Sequence, residues 1–316
     1  MKNAIHARER YRAWSSTIPE LPFYMQAWWL NIAAREQWSA VFEENATGEI
    51  IGVFPFSWSK RKGLTMLDNP PISPYTHIWI VQYPNETKHS RISRYRRTVD
   101  ALIKDIPDTI LHKFKFDPGL TDWMPFYNNG YQQRTRYTYI MDLSQGVDRI
   151  WENMARKVRQ ESKNENLFID FNKDSSLLYT LMEQSFKKQK SSVPVSSDFL
   201  NTLLHSVPNY SEDLQLTVKD KNGDPLLSQY IVISNGIAYT LFSGTVEKSS
   251  EKSLKSFMLW KLIQKLQPSC NTINFCGSMI PEVERRYRHF GAVQTPYSII
   301  YKSKYNILTH LTGLRF

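Results

Sequence analysis

The residues best equipped for chemistry lie between Asn271 and Tyr301, NTINFCGSMIPEVERRYRHFGAVQTPYSIIY. Tyr287 carries a phenol, which can hand a proton to a departing group when held beside it. Cys276 carries a thiol, which gains nucleophilicity if a helix N-terminus lowers its pKa. Arg285, Arg286, Arg288 and His289 form a run of cations around that tyrosine. A second set sits upstream in SGTVEKSSEKSLKS (243–256), where Ser243, Gly244, Lys248, Lys252, Ser253 and Lys255 precede or open an apolar helical pattern. Lysines and hydroxyls at a helix start can meet a phosphate. Each candidate also has a plainer reading: Tyr287 as a core residue with a satisfied hydroxyl, Cys276 as a small core residue, and the lysines as a solvated helix start.

The elements that must position these residues follow from pattern. Thr272–Cys276 reads as a short strand, and Gly277 permits a sharp turn. Ser278 is the expected N-cap, with Pro281 tolerated in the first turn. Val283, Tyr287 and Phe290 recur at helical spacing and mark one buried stripe. Glu282 and Glu284 come early and the cations late, as the helix dipole favours. Gly291 fits a helix stop, and Thr295–Tyr301 alternates as a strand.

Upstream, the expected order is a helix over 21–34, strands over 38–42, 49–58 and 64–67, and a loop at NPPISPYTH (69–77). The prolines of that loop deny ladder hydrogen bonds. A charged helix over 87–106, a strand over 109–116, a short helix over 121–127 and a strand over 133–142 complete the first half. The second half opens with one helix over 144–163, then a helix over 175–188 and one over 199–205 capped by Asp198. Strands over 214–218, 226–233 and 237–243 form a meander with turns at Asn222-Gly223 and Asn235-Gly236. An apolar helix over 254–266 leads into the 271–301 stretch, and 303–316 has the pattern of one more helix.

The two halves repeat one order: three antiparallel strands, a helix, a strand, a short helix, a glycine and a strand. FYNNGYQQRTRYTYI (126–140) echoes YRHFGAVQTPYSII (287–300), with Gly130 against Gly291 and Thr135-x-Tyr137 against Thr295-x-Tyr297. This predicts a mixed α/β fold of two tandem units, 1–143 and 144–316.

Composition narrows the function classes. The 316 residues are enough for two cores, and the net charge of +10 favours anionic partners such as nucleic acid, lipid headgroups or phosphorylated substrates. The basic runs are 91–97, 149–163 and 285–289; with interleaved tyrosines they suit a polyanion, or simply a solvated face. Two cysteines exclude a disulfide framework and suit a reducing cytosol. The first residues lack the apolar run of a secretory signal, and no stretch is apolar enough to span a bilayer, so a cytoplasmic protein with at most peripheral membrane contact is expected. No histidine or cysteine spacing fits a metal, and no dinucleotide, Walker or nucleophile-elbow motif occurs.

Tyr287-x-x-x-Gly291 behind a helix and before a strand resembles the Y-x-x-x-G-[FY] signature that closes the GNAT acyltransferase core. GSMIPEVERRYRHFGA followed by PY is similar to the Fem-type branch, aminoacyltransferases of peptidoglycan assembly with relatives in envelope polysaccharide clusters. The resemblance implies two GNAT-like units, the second catalytic and the first substrate-binding, because Phe126 stands where Tyr287 has its hydroxyl. It implies that the strands over 237–243 and 272–276 lie parallel and splay apart. Open sheets bind ligands at the carboxyl ends of such strands, which points to Ser243, Gly244, Gly277 and Ser278. Tyr287 is then the expected general acid for the leaving group of acyl transfer. Lys252, Ser253, Lys255 and Arg285 are expected to bind donor or substrate, and Pro74 and Tyr75 in the proline-rich loop to rim the acceptor site.

Three departures qualify this. No glycine occurs from Thr245 to Ser256, so the pyrophosphate loop of coenzyme-A-binding GNATs is missing. Close relatives read D-F-E-G-S where this chain has Asn274-Phe275-Cys276-Gly277-Ser278, so two acids are neutral. The long helical hairpin that Fem-type proteins offer to tRNA has no room here, which disfavours tRNA and favours a smaller donor. The expected function is transfer of an acetyl, other acyl or aminoacyl group, from acyl-CoA or aminoacyl-tRNA and without metal. The acceptor is an amine or hydroxyl of an anionic or lipid-linked envelope precursor. The alternative is a non-catalytic binding protein that keeps the fold.

Overall fold

The computed structural model describes residues 4–61, 63–246, 252–277 and 279–305. Contacts divide the chain into two units. Unit 1 runs to Arg136 and takes back the chain from Pro296 onward, and unit 2 is Tyr137–Thr295. The division therefore falls earlier than residue 143, and the last strand crosses to the first unit. An alternating strand declares which face is buried, not which neighbour it joins.

Unit 1 begins with α1 (Ala4–Ser15), a 3-10 turn (Phe23–Met25) and α2 (Ala27–Ala34). The pattern over 21–34 is thus a turn followed by a shorter helix. Next come β1 (Trp38–Glu44), β2 (Ile50–Arg61), β3 (Leu64–Asp68), the two-residue β4 (Trp79–Ile80), α3 (Lys88–Asp105), β5 (Leu111–Lys115), α4 (Met124–Asn128) and β6 (Gln132–Asp142). Thr87 caps α3 by accepting from Ser90 N–H, and this satisfies one of the orphan donors of its first turn.

The second half continues with α5 (Val147–Asn153), α6 (Arg156–Glu161), β7 (Leu167–Asp170), α7 (Ser175–Lys188), α8 (Ser197–Ser206), β8 (Glu212–Asp220), β9 (Pro225–Ser234), β10 (Ile237–Thr245), α9 (Lys252–Leu266), β11 (Thr272–Asn274), α10 (Pro281–His289) and β12 (Val293–Ser303). The single helix expected over 144–163 is two. Met154 is extended at ψ 143, and Ala155 N–H donates to the His289 carbonyl at 2.9 Å. A tertiary bond takes the amide that a continuous helix would use. Ser196, not Asp198, caps α8. The expected C-terminal helix over 303–316 falls outside the described residues from 306 on.

In unit 1, β1, β2 and β3 pair antiparallel in sequence, β4 adds to β2, β3 runs parallel to β5, and β5 pairs antiparallel with the C-terminal part of β12. Its core is aromatic: Phe54, Phe114, Phe116 and Phe126 are at most 1% exposed. In unit 2, β7, β8, β9 and β10 form an antiparallel run, β10 is parallel to β11, and β11 pairs antiparallel with the C-terminal part of β6. Helix α9 buries Leu254, Phe257, Leu262 and Ile263 in a core shared with Leu216, Ile231 and Ile273. Burying such side chains stabilises by about 1.5–3 kcal/mol each. Each unit thus repeats strand, helix, parallel strand, short helix, and each is completed by the last strand of the other half.

Candidate active site

The parallel ladder of β10 and β11 has only three pairs, the last being Tyr239 with Asn274. Strand β10 continues to Thr245 against β9, with an extra residue at Leu241 that bends it. The pairing of β10 with β11 does not extend past Tyr239 and Asn274. Cys276 at φ 58 and Gly277 at φ 103 turn the chain away from β10. The two strands therefore part, as expected from sequence.

Asn274 shapes the point of parting. Its side chain is 6% exposed, and its Oδ1 accepts from Thr138 Oγ1 and from Cys276 N–H, both at 2.9 Å. The neutral amide thus holds the turn by an acceptor that a carboxylate would also supply. Cys276 directs its thiol to the Asn274 carbonyl at 3.5 Å and lies well ahead of α10, so no helix N-terminus activates it. Ile280 is the N-cap of α10 and makes no side-chain cap. This corrects the expected cap at Ser278, which itself lies outside the described residues.

Tyr287 stacks flat on Phe275, with ring centroids 3.9 Å apart at 11°, and tilts against Tyr139 at 5.9 Å. It is half-buried at the edge of the unit 2 core. Its hydroxyl takes no hydrogen-bond partner among the described residues. Burial pushes the phenol up to about 12; Arg286 opposes the rise and Cys276 adds to it. The group is a proton donor at neutral pH, not a base.

Arg286 is close enough to act on the charge of Tyr287, and Lys255 on that of Arg286. Burial, with Arg286 and Lys188 nearby, holds Lys255 below the usual lysine range, while Glu282 partly offsets this. Burial likewise lowers Arg286, against the pull of Tyr287, Glu161 and Glu282. Both are half-buried. Among the described residues neither makes an ion pair within hydrogen-bonding range, whereas Arg288 of the same helix holds Glu284 at 2.9 Å. Two desolvated, unpaired cations next to each other are stabilised by an anion.

The remaining candidates divide. Ser243 is exposed on β10 past the ladder. Gly244 is buried beneath α7, where an added Cβ would lie 2.3 Å from Met182 N. It serves close helix–strand packing, not a phosphate cradle. Ser253 accepts from Asn164 Nδ2 at 3.3 Å, and Lys252 is the first residue of α9. Arg285 is exposed on α10; the neighbour that reaches Tyr287 is Arg286, which sequence reading did not single out. The signal was present, since Arg286 lies one helical step from Val283 on the stripe side. In unit 1, Pro74 and Tyr75 are buried, and Tyr75 packs edge-on against Tyr24 and Tyr297 with Lys115 over its ring at 4.8 Å. They form a wall rather than an exposed rim.

Unit 1 treats its own ladder differently. β3 and β5 also share three pairs, ending at Asp68 with Lys113. Beyond them, Asn69 accepts from Lys115 N–H at 2.6 Å and donates to the Lys115 carbonyl at 2.9 Å. Thr76 N–H donates to the same carbonyl at 2.8 Å, and Asp117 N–H returns to Thr76 at 3.1 Å. The proline-rich loop closes the gap. At its end His77 Nδ1 meets Asp117 Oδ2 at 2.8 Å, and Tyr24 donates to the same oxygen at 3.0 Å.

Among the described residues, no group of three or more histidine, cysteine or acidic side chains is placed to hold a metal ion, and no helix is long and apolar enough to cross a membrane. No family model matches the sequence, and no curated protein matches it. Solved structures do match nearly end to end. FemX superposes with a TM-score of 0.64 at 11% identity, covering 96% of this chain and 98% of that one. A tandem GNAT protein from the clavulanic acid biosynthesis pathway gives 0.53 at 7% identity over 95% and 94%. L-PGS from Bacillus licheniformis gives 0.51 at 11% identity over 96% and 94%. With the repeated strand–helix order and the parted parallel strands of unit 2, these likenesses give the chain a Fem-like tandem GNAT fold.

Proposed function

We propose that unit 2 is an acyltransferase unit that moves an acyl or aminoacyl group onto an amine or hydroxyl of an anionic cell-envelope precursor in the cytoplasm. The observation that carries this is the Tyr287 phenol, without a hydrogen-bond partner among the described residues and stacked on Phe275 just past the end of the β10–β11 ladder, with Arg286 close enough to act on its charge and Lys255 close enough to act on that of Arg286. The carbonyl carbon of the donor is attacked by the acceptor, the bond to the leaving sulfur or oxygen breaks, the leaving thiolate or alkoxide takes the Tyr287 proton, and the phenolate is reprotonated by the proton that the acceptor amine or hydroxyl sheds. Lys255 and Arg286 hold a phosphate or carboxylate of donor or acceptor near that phenol. Unit 1, with its gap closed and Phe126 in place of the tyrosine, is the substrate-binding unit. The likeness to FemX and to L-PGS favours aminoacyl donors and envelope acceptors. The missing glycine loop before α9 favours a donor other than coenzyme A.

Thermal-shift titration with coenzyme A and acetyl-CoA separates the donors. A clear rise in Tm assigns acyl-CoA. No shift, together with transfer of labelled amino acid from charged tRNA to a nucleotide-linked muropeptide, assigns aminoacyl transfer. Failure of both donors with a panel of envelope precursors overturns catalysis and leaves a second reading, a binding protein on the same fold. That reading is favoured by Asn274 and Cys276, which are neutral where Fem-type relatives carry acids.

A further inference from the structure

Away from the parted strands, unit 2 has a second feature that acyl transfer does not use. Strand β7 is the terminal strand of the unit 2 sheet and pairs with β8. Leu167 and Ile169 turn inward to the core, while Phe168 and the following Phe171 are 55% and 42% exposed. With Phe257 and the outer face of α9 they enclose a groove of about 630 Å³. Lys163, Lys261 and Lys265 line it, against one acidic lining residue, Glu165. Each lysine lies over an aromatic ring: Lys163 over Trp151 at 5.4 Å, Lys261 over Phe257 at 5.6 Å and Lys265 over Phe171 at 5.4 Å. Among the described residues none of the three is ion-paired.

An apolar cup ringed by lysines whose stems lie on aromatic rings is the arrangement that an interface between water and lipid stabilises. The rings and stems enter the headgroup layer while the ammonium groups meet anionic headgroups. A nucleic-acid strand fits less well. It needs free aromatic faces for bases and cations spaced along a track, but Phe257 is 5% exposed, Lys265 covers Phe171, and no arginine lines the groove. We propose that this groove docks unit 2 on an anionic bilayer surface. The occupant is a membrane carrying acidic phospholipid headgroups, identified by charge complementarity to three unpaired lysines and by two exposed phenylalanines. Helix α9 serves both places: its first turns carry Lys255, which acts on the charge of Arg286, and its later turns carry Lys261 and Lys265. The docking surface stands independently of the acyl-transfer reading, and its test does not measure transfer.

The test is co-sedimentation of the full chain with phosphatidylcholine vesicles, with and without phosphatidylglycerol. The chain should pellet with the anionic vesicles only. Lys261→Gln and Lys265→Gln should each lower the partition coefficient about fivefold. Phe168→Ser with Phe171→Ser should lower it roughly tenfold at a salt level where the charge contribution is already screened. Arg91→Gln with Arg97→Gln, on α3 of unit 1, should leave it unchanged. Circular-dichroism melting confirms that each variant folds. Absence of binding to anionic vesicles overturns the proposal. So does equal loss from the α3 variants, which would reduce the effect to net charge. Loss of tRNA retention by the lysine variants with vesicle binding intact would reassign the surface to RNA and overturn it as well.

Discussion

In unit 1, the end of the β3–β5 ladder is bridged by the Asn69 amide and the backbone of Thr76. In unit 2, the β10–β11 pairing stops at Tyr239 and Asn274, and Tyr287 of the following helix stacks on Phe275 just past that point, with Arg286 acting on its charge. The helix after the ladder shows the same contrast. Phe126 of α4 is fully buried, while Tyr287 of α10 keeps an unpartnered hydroxyl. One chain order has been filled in one copy and left open in the other. Filling uses groups that satisfy each other's hydrogen bonds, and opening leaves the Tyr287 hydroxyl without a hydrogen-bond partner, and Lys255 and Arg286 without an ion pair, among the described residues. Unmet polar capacity inside a fold costs stability, which is why the proposed ligand site is set in unit 2.

This contrast can be broken most sharply at Tyr287. Tyr287→Phe gives unit 2 the ring that unit 1 already has at Phe126. It should lower the rate constant for transfer by about 10²–10⁴-fold and leave Tm nearly unchanged, since the hydroxyl makes no internal bond. Steady-state kinetics and a melting curve check both halves of that statement. Lys255→Ala and Arg286→Ala come next. Each should weaken binding of the anionic substrate by roughly 10–100-fold, raise KM more than they lower kcat, and raise Tm slightly by relieving repulsion.

The filled copy is tested at Asn69. Asn69→Ala removes two hydrogen bonds to Lys115 and should cost about 2 kcal/mol of stability, read by urea unfolding, with kcat of unit 2 unaffected. The smallest effect expected is a difference in pH response. Burial holds His112 of unit 1 down to about 4, where it bonds Tyr131 and the Pro107 carbonyl. Its folded form binds the proton less tightly than its unfolded form. Stability is therefore whole above pH ~6.5 and falls as pH drops toward about 4, a loss that His112→Gln should flatten. Tyr287 has the opposite sign. Its folded phenol holds the proton more tightly, so its contribution is whole below pH ~10 and is lost as pH rises toward about 12. Unfolding followed across both ranges should show His112→Gln acting only on the acid limb and Tyr287→Phe only on the alkaline limb.

Much of the architecture was legible in the letters. Gly130 and Gly291, aligned as the stops of equivalent short helices, sit at φ 76 and φ 86, and the strand–helix–strand order holds in both halves. Residues whose structure depends on distant partners were not legible. The break at Met154–Ala155 arises from the His289 carbonyl. The short strand β7 has only four residues and too little alternation to stand out. Residues 4–15 bury only Tyr11, Trp14 and Ser15 on an otherwise charged helix. Within the proposed site, Tyr287 was singled out by its type and spacing and Lys255 by its place at a helix start. Arg286 was passed over for Arg285, although its i+3 spacing from Val283 set it nearer the buried stripe. Pro74 and Tyr75 looked like a rim because proline loops are usually surface features; here the loop fills a gap and its aromatic residue is buried.

The exchange of last strands bears on how the chain is made. Strand β5 has β3 on one side and waits for Ile299–Ser303 of β12 on the other. A ribosome will have released the whole of unit 1's earlier sequence long before that strand appears. Until then, Leu111–Lys115 offers an open row of backbone donors and acceptors to any passing strand. Synthesis that halts before residue 296 should thus leave a nascent product that recruits chaperones or aggregates, even though most of the first unit has already been translated.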